Sequence, residues 1–133
     1  MARICIPNQE YKERVQRCAA ILRREKLDAL IVNGNEADYA NPRYFSGFWP
    51  LFERAGVALR VGPESREFGA DRNKLDKIFC LQAYREGADP SYPELQADTF
   101  QDVFKAIGVT GQKLRIGIAS FLDTSKTIYQ AIC

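Results

Sequence analysis

The sequence predicts an α/β fold, a layered sheet with helices packed on it. Three observations carry that expectation. An amphipathic stripe, Tyr11, Val15, Cys18, Ala19 and Leu22, recurs at three- and four-residue steps and reads as a helix on a core. A short apolar run, Ala29-Leu30-Ile31-Val32, follows Asp28 and suits a strand covered on both faces. Helix-like and strand-like patterns then alternate towards the end of the chain, as in layered α/β proteins rather than all-α or all-β ones.

Each element has its own local signal. Asn8, after Pro7, is placed to cap the first helix. Arg23, Arg24 and Lys26 close that helix, where cations favour the negative end of its dipole. Asn33-Gly34 predicts a tight exit from the first strand, since both residues tolerate positive backbone dihedrals. Residues 44–49 are dense in aromatics, with Gly47 as a break, and Pro50 holds Trp49 extended. Residues 55–61 alternate loosely and read as a second strand, closed by Gly62-Pro63. Residues 64–77 are polar with apolar contacts at Phe68 and Leu75 and read as a helix; residues 78–84 form a candidate strand; residues 87–93 hold two prolines and must be loop.

The clearest helix comes next. Phe100, Val103, Phe104 and Ile107 lie on one face, Asp98 and Gln101 offer a capping box, and Gly108 ends the run. Thr110-Gly111-Gln112 is a turn. Leu114, Ile116 and Ile118 alternate with Arg115 and Gly117 as in a strand, and Asp123 is placed to cap a last helix containing Ile128, Ala131 and Ile132. The chain stops inside that helical pattern without a cap or polar tail, as an excised domain would.

The chain has 133 residues, 46% of them apolar, and fits one domain with a core large enough to need no staple. Its net charge of +2 comes from interspersed signs, so no basic patch for nucleic acid is expected. Cys5, Cys18, Cys80 and Cys133 form no closely spaced pair of the kind that brings two thiolates to one zinc ion. Cys18 and Cys80 read as small buried hydrophobes. The first residues lack a signal-peptide core, and no run approaches the ~18 apolar residues of a membrane span. A reduced, cytoplasmic protein without a membrane partner is the expectation.

The sequence contains no histidine. That removes Ser-His and Cys-His nucleophile pairs at once. Neither a G-x-G-x-x-G nor a phosphate-loop signature is present. Ser46 precedes Gly47, but no glycine stands two residues before it, so it is not a nucleophile elbow. Asp71 with Asp76, and Glu64 with Glu67, read as a charged solvent face. No residue is assigned a catalytic or metal-binding role.

One stretch is more specific. Asp28-Ala29-Leu30 opens a strand and, after a loop, Asn41-Pro42-Arg43-Tyr44-Phe45-Ser46-Gly47-Phe48 follows. This resembles the amino-terminal domain of the creatinase, aminopeptidase P and prolidase family, which carries an Asn-x-x-Tyr-aromatic/Leu-Ser/Thr-Gly-Phe segment there. Tyr11 and Arg14 in the opening helix fit the same pattern. Lys113-Leu114-Arg115-Ile116-Gly117-Ile118 resembles the late strand that leads into the helix linking that family's two domains. Two departures stand out: Ala119 occupies a position where many relatives carry Glu, and residues 35–39 lengthen the loop after the first strand.

The resemblance implies a three-layer α/β/α domain with a mixed sheet, ribonuclease-H-like in shape, covering residues 1–133. The family's catalytic "pita-bread" domain would lie outside this chain. The reaction it implies is hydrolysis of a bond next to proline, or of a related C–N bond, by two divalent metal ions held by two Asp, one His and two Glu in that catalytic domain. Metal coordination lowers the pKa of water from ~16 towards ~7. No residue here matches those ligands, so no cofactor is assigned to this chain. The role implied for this domain is to shape substrate access and to build a homodimer. Arg43, Phe48 and Trp49 are the candidates for that role, because an aromatic pair ahead of a proline is stiff and presents large area at low entropic cost. Tyr44 and Phe45 are expected in the core, and Gly47 is expected to serve backbone geometry. A peptide- or protein-binding module from a relative without metal-dependent catalysis is the alternative. A free-standing flavodoxin-like or receiver-like domain is a weaker one, since the segment after the first strand has one glycine and no phosphate-loop spacing.

Overall fold

The computed structural model describes residues 5–49, 54–60, 79, 81, 84 and 98–133. The expected helix at 64–77, the loop at 87–93, the acidic pairs at 64–76, Pro50 and Cys80 lie outside the described residues.

Helix α1 runs Asn8–Arg24. Its cap position is taken by Pro7, whose fixed φ of −62° suits the entry and whose carbonyl accepts the Glu10 N–H at 3.1 Å. Asn8 is therefore the first helical residue, not the cap, and no side chain caps this end. At the other end Lys26 takes the left-handed conformation (φ 55°) usually given to glycine, and the Leu27 N–H returns to the Leu22 carbonyl at 2.9 Å. The chain reverses there and enters strand β1, Ala29–Gly34.

β1 is central. It pairs antiparallel with β2, Ala55–Arg60, from Ala29↔Arg60 to Gly34↔Ala55, and parallel with β3, Ile116–Ala119, from Ala29↔Ile116 to Val32↔Ala119. The order β2-β1-β3 makes a mixed sheet. A central strand must bury both faces, which is why Ala29 to Val32 is apolar throughout. Ala29 and Ile31 pack with Phe100, Phe104, Val109 and Ile128. Val32, with Leu30 beside it, packs with Cys18, Leu22, Val57 and Leu59. Each fully buried side chain of this kind contributes roughly 1.5–3 kcal/mol.

These two clusters define the layers. Helix α1 and the short helix α2, Ala40–Ser46, cover the Leu30–Val32 face. Helices α3, Phe100–Ala106, and α4, Lys126–Ile132, cover the Ala29–Ile31 face. Helices on both sides of a mixed sheet are the arrangement expected. Helix α2 occupies a segment to which the sequence patterns assign no element. Its Pro42 falls in the first turn, where a missing N–H loses no helical hydrogen bond.

Three local expectations shift. Asn33 and Gly34 do not turn the chain; they complete β1, and Gly34 supplies room, because a Cβ there would lie 2.6 Å from the Asp38 carbonyl and 2.7 Å from the Pro42 ring. The exit is made by Asn35, whose Oδ1 accepts the Ala37 and Asp38 N–H groups at 2.8 and 2.9 Å. The capping box of α3 uses Thr99 and Asp102 rather than Asp98 and Gln101: the Thr99 N–H donates to Asp102 Oδ2 at 2.8 Å and the Asp102 N–H to Thr99 Oγ1 at 3.2 Å. Asp98 is taken up in a parallel bridge with Leu81; of the strand expected at 78–84 the described residues show that single bridge, and Tyr84 lies instead in a 3₁₀ turn, its N–H on the Leu81 carbonyl at 3.1 Å. Asp123 lies in a single 3₁₀ turn, Phe121–Asp123, too early to cap α4, and Ser125 caps it by accepting the Ile128 N–H at 3.2 Å.

Candidate functional site

The parallel strands β1 and β3 end side by side. The chain leaving β1 forms α2 on one face of the sheet, and the chain leaving β3 forms α4 on the other. In open α/β sheets, adjacent parallel strands whose connections part to opposite faces leave a crevice at their carboxyl ends, where ligands are commonly bound. The candidate residues collect around that end.

Tyr39 begins the site. The Asn35 turn delivers it to the start of α2, and one helical turn later Arg43 lies over it, its guanidinium carbon 5.9 Å from the Tyr39 ring centre. Gly47 then takes φ 69°, the left-handed value that ends helices, with its N–H on the Arg43 carbonyl at 2.9 Å. That reversal lays Trp49 back on Tyr39, ring centres 4.8 Å apart and planes 27° apart. Arg43 covers Trp49 as well, at 4.7 Å. Among the described residues the Arg43 guanidinium has ring contacts and no ion pair. Trp49 remains 49% exposed, so the stack is a surface feature and not core.

Of the three residues singled out from the sequence, Arg43 and Trp49 are therefore in contact. Phe48 is adjacent and 46% exposed, its N–H held by Ser46 Oγ at 3.0 Å, and it joins no ring pair among the described residues. Tyr39, the third member of the stack, carries no distinctive sequence signal. Its position ten residues before Trp49, ahead of a glycine reversal, is the one clue available.

Tyr44 corrects an expectation. Phe45 is half-buried against the α1 side of the core, but Tyr44 is exposed and packs on Arg14 at 4.5 Å. Arg14 also lies 5.0 Å from the Tyr11 ring and donates to the Tyr44 carbonyl at 2.8 Å, satisfying a carbonyl near the end of α2. Glu10 pairs with Arg14 at 3.0 Å, and that hydrogen bond holds its carboxyl below the usual carboxylate range. Helix α2, which carries Arg43, is thereby fastened to α1.

A polar network crosses the strand ends. Asn33 is 1% exposed. Its Oδ1 accepts from the Tyr84 hydroxyl, and its Nδ2 donates to Thr124 Oγ1 at 2.7 Å. The Thr124 hydroxyl donates in turn to the Ser120 carbonyl at 3.1 Å, and Asn41 Nδ2 donates to Ser120 Oγ at 2.6 Å. Burial pushes the Tyr84 phenol well above its ordinary pKa. Gly56 leaves the space for that phenol: a Cβ there would stand 2.5 Å from the Tyr84 oxygen. These groups are neutral, and the described buried polar atoms all have partners.

The chemistry open to these residues is binding by stacking, by a cation and by neutral hydrogen bonds. Among the described residues no three Cys, Asp or Glu side chains gather as metal ligands would. Cys18 is buried, which raises its thiol pKa, whereas Cys5 and Cys133 are exposed. Among the described residues no helix is long and apolar enough to cross a membrane. Compared with curated proteins and with solved structures, the chain finds no match. The family model for the Creatinase/Prolidase N-terminal domain matches residues 14–127, from Arg14 on α1 through the three described strands into α4, and the chain belongs to that family.

Proposed function

We propose that this chain is the non-catalytic amino-terminal domain of a cytoplasmic Xaa-Pro dipeptidase- or aminopeptidase-type metallohydrolase, and that it shapes substrate access and builds a homodimer. The family match over residues 14–127 carries this reading. The absence of histidine supports it, because the metal-ligand set that the resemblance implies cannot be assembled from a chain without one. Three of the described carboxylates have structural partners. Glu10 is tied to Arg14, Asp28 accepts the Arg115 N–H, and Asp102 closes a capping box. Two divalent ions therefore belong, on this reading, to the catalytic domain, and no step is assigned to them here.

Arg43, Trp49 and Phe48 are the contact residues on this reading. A tryptophan held flat by Tyr39 and covered by a guanidinium loses little further freedom on binding, so its contact area converts efficiently into affinity. The test is an X-Pro dipeptide assay of the full-length protein beside the 133-residue chain, with divalent metal content measured on both. The full-length protein should turn over substrate in a metal-dependent way, and its Trp49→Ala variant should lose rate several-fold at low substrate concentration. Turnover or stoichiometric tight metal in the 133-residue chain alone overturns the non-catalytic reading. A normal rate for Trp49→Ala removes that residue from substrate access.

A further inference from the structure

The polar network at the strand ends reaches the Trp49 stack through a single bonded series. Asn33 donates to Thr124, Thr124 donates to the Ser120 carbonyl, and Ser120 Oγ accepts from Asn41, which lies in the first turn of α2 between Tyr39 and Arg43. The weak point is Ser120. It has φ 56°, a left-handed value unfavourable to a side chain with a Cβ, and it is not glycine. The Thr124 hydroxyl on its carbonyl holds that turn, and the buried Asn33 amide in turn fixes the Thr124 rotamer. A hydroxyl that accepts one hydrogen bond while donating another is polarised by both, so the links reinforce each other.

We propose that this series is a conformational coupler: it ties the turn ahead of α4 to the start of α2, so that a change at Thr124 is felt in how Trp49 is held. If the Thr124 bond is lost, Ser120 can relax to a negative φ. Its Oγ then swings away from Asn41, and the first turn of α2, with Tyr39 before it and Arg43 after it, loses one anchor. The Arg14 anchor at the far end of α2 remains. The stack should then loosen while the sheet stays intact. This concerns how the stack is held and does not depend on what the stack contacts.

Trp49 is the chain's one tryptophan, so its fluorescence reads the stack directly. Acrylamide quenching and emission maximum would be compared in the unaltered chain, in Thr124→Val (same shape, no hydroxyl), in Asn41→Leu, and in the double variant, under conditions where each is folded by circular dichroism. Thr124→Val should raise the quenching constant by about 1.5-fold or more, and should add nothing in the Asn41→Leu background, the non-additivity expected of linked groups. Mere destabilisation would move the urea midpoint without moving native-state quenching. Unchanged quenching in Thr124→Val, or the same change in both backgrounds, overturns the proposal. If Thr124→Val does not fold, Ser120→Ala decides: it removes the Asn41 acceptor and leaves the buried pair alone, and unchanged quenching there overturns the proposal equally.

Discussion

Replacing Tyr84 by phenylalanine removes one oxygen atom and keeps the ring that packs at 6.1 Å from Phe100. The effect should exceed that of an average lost hydrogen bond, because of what stays behind. Asn33 is 1% exposed, and its Oδ1 has the Tyr84 hydroxyl as its partner; water cannot replace it without opening the sheet end. A buried acceptor left unpaired costs about 1–3 kcal/mol, against about 1 kcal/mol for an ordinary hydrogen bond. Urea unfolding of the variant should therefore show a loss of about 1–3 kcal/mol with an unchanged m-value. The pH dependence has a definite sign. Burial raises the folded-state pKa of this phenol above that of the unfolded chain, which is ~10. The stabilisation is thus fully present below pH ~10 and is lost as pH rises beyond it, since the unfolded chain then releases a proton that the folded one retains. Tyr84→Phe should lack that alkaline component. A loss under about 0.5 kcal/mol, or an alkaline limb identical to that of the unaltered chain, refutes the burial and pairing argued for Asn33.

Two further outcomes follow from local geometry. Thr99→Ala removes one half of the α3 capping box and should destabilise the chain by about 1 kcal/mol in urea melts, whereas Asp98→Ala, one residue earlier, should lack that capping penalty. Timed alkylation of the native chain, read by peptide mass, should modify Cys5 and Cys133 quickly and Cys18 slowly, because Cys18 is both buried and raised in pKa; rapid labelling of Cys18 under native conditions would contradict its place on the buried face of α1.

What could be read in the sequence depended on how local the controlling interaction is. The run Ala29 to Val32 announced a strand covered on both faces because the centre of a sheet leaves no polar side. The Phe100, Val103 and Phe104 stripe announced α3 because its burial repeats with the helical period. Caps were harder. Thr99 and Asp102 compete with Asp98 and Gln101 one position away, and only the pairing of Asp98 with Leu81 decides between them. Helix α2 was illegible for a different reason. It is seven residues long, with proline in its first turn, and an anchor comes from Arg14, thirty positions before Tyr44. Such a helix forms because of what it packs against, not from propensity. Arg43 and Trp49 could be singled out from their chemistry, but Tyr39 could not, since a ten-residue return of the chain brings it to Trp49. Asn33 misled most. Asn-Gly is a strong turn pair, and its actual partners, Tyr84 and Thr124, stand 51 and 91 positions away.

The placing of Asn33 also explains why polar side chains gather at this end of the sheet. The β1–β2 ladder is antiparallel and six pairs long; the β1–β3 ladder is parallel and four pairs long. Parallel pairing is slightly weaker per residue, and both of its strands are distant in sequence, so closing it carries a larger entropic cost. Side chains bracket that shorter ladder at both ends. At the start, Asp28 accepts the Arg115 N–H at 2.7 Å while its own N–H donates to the Arg115 carbonyl at 2.9 Å. At the finish, Asn33 holds Thr124. The first bracket is exposed, a charged carboxylate on a backbone N–H, and tolerant of solvent; the second is buried and neutral, and so sensitive to geometry. The Trp49 stack is attached to the second. A contact made on that stack therefore bears on the weaker of the two ladders, at the end where a small displacement is least easily made good by water.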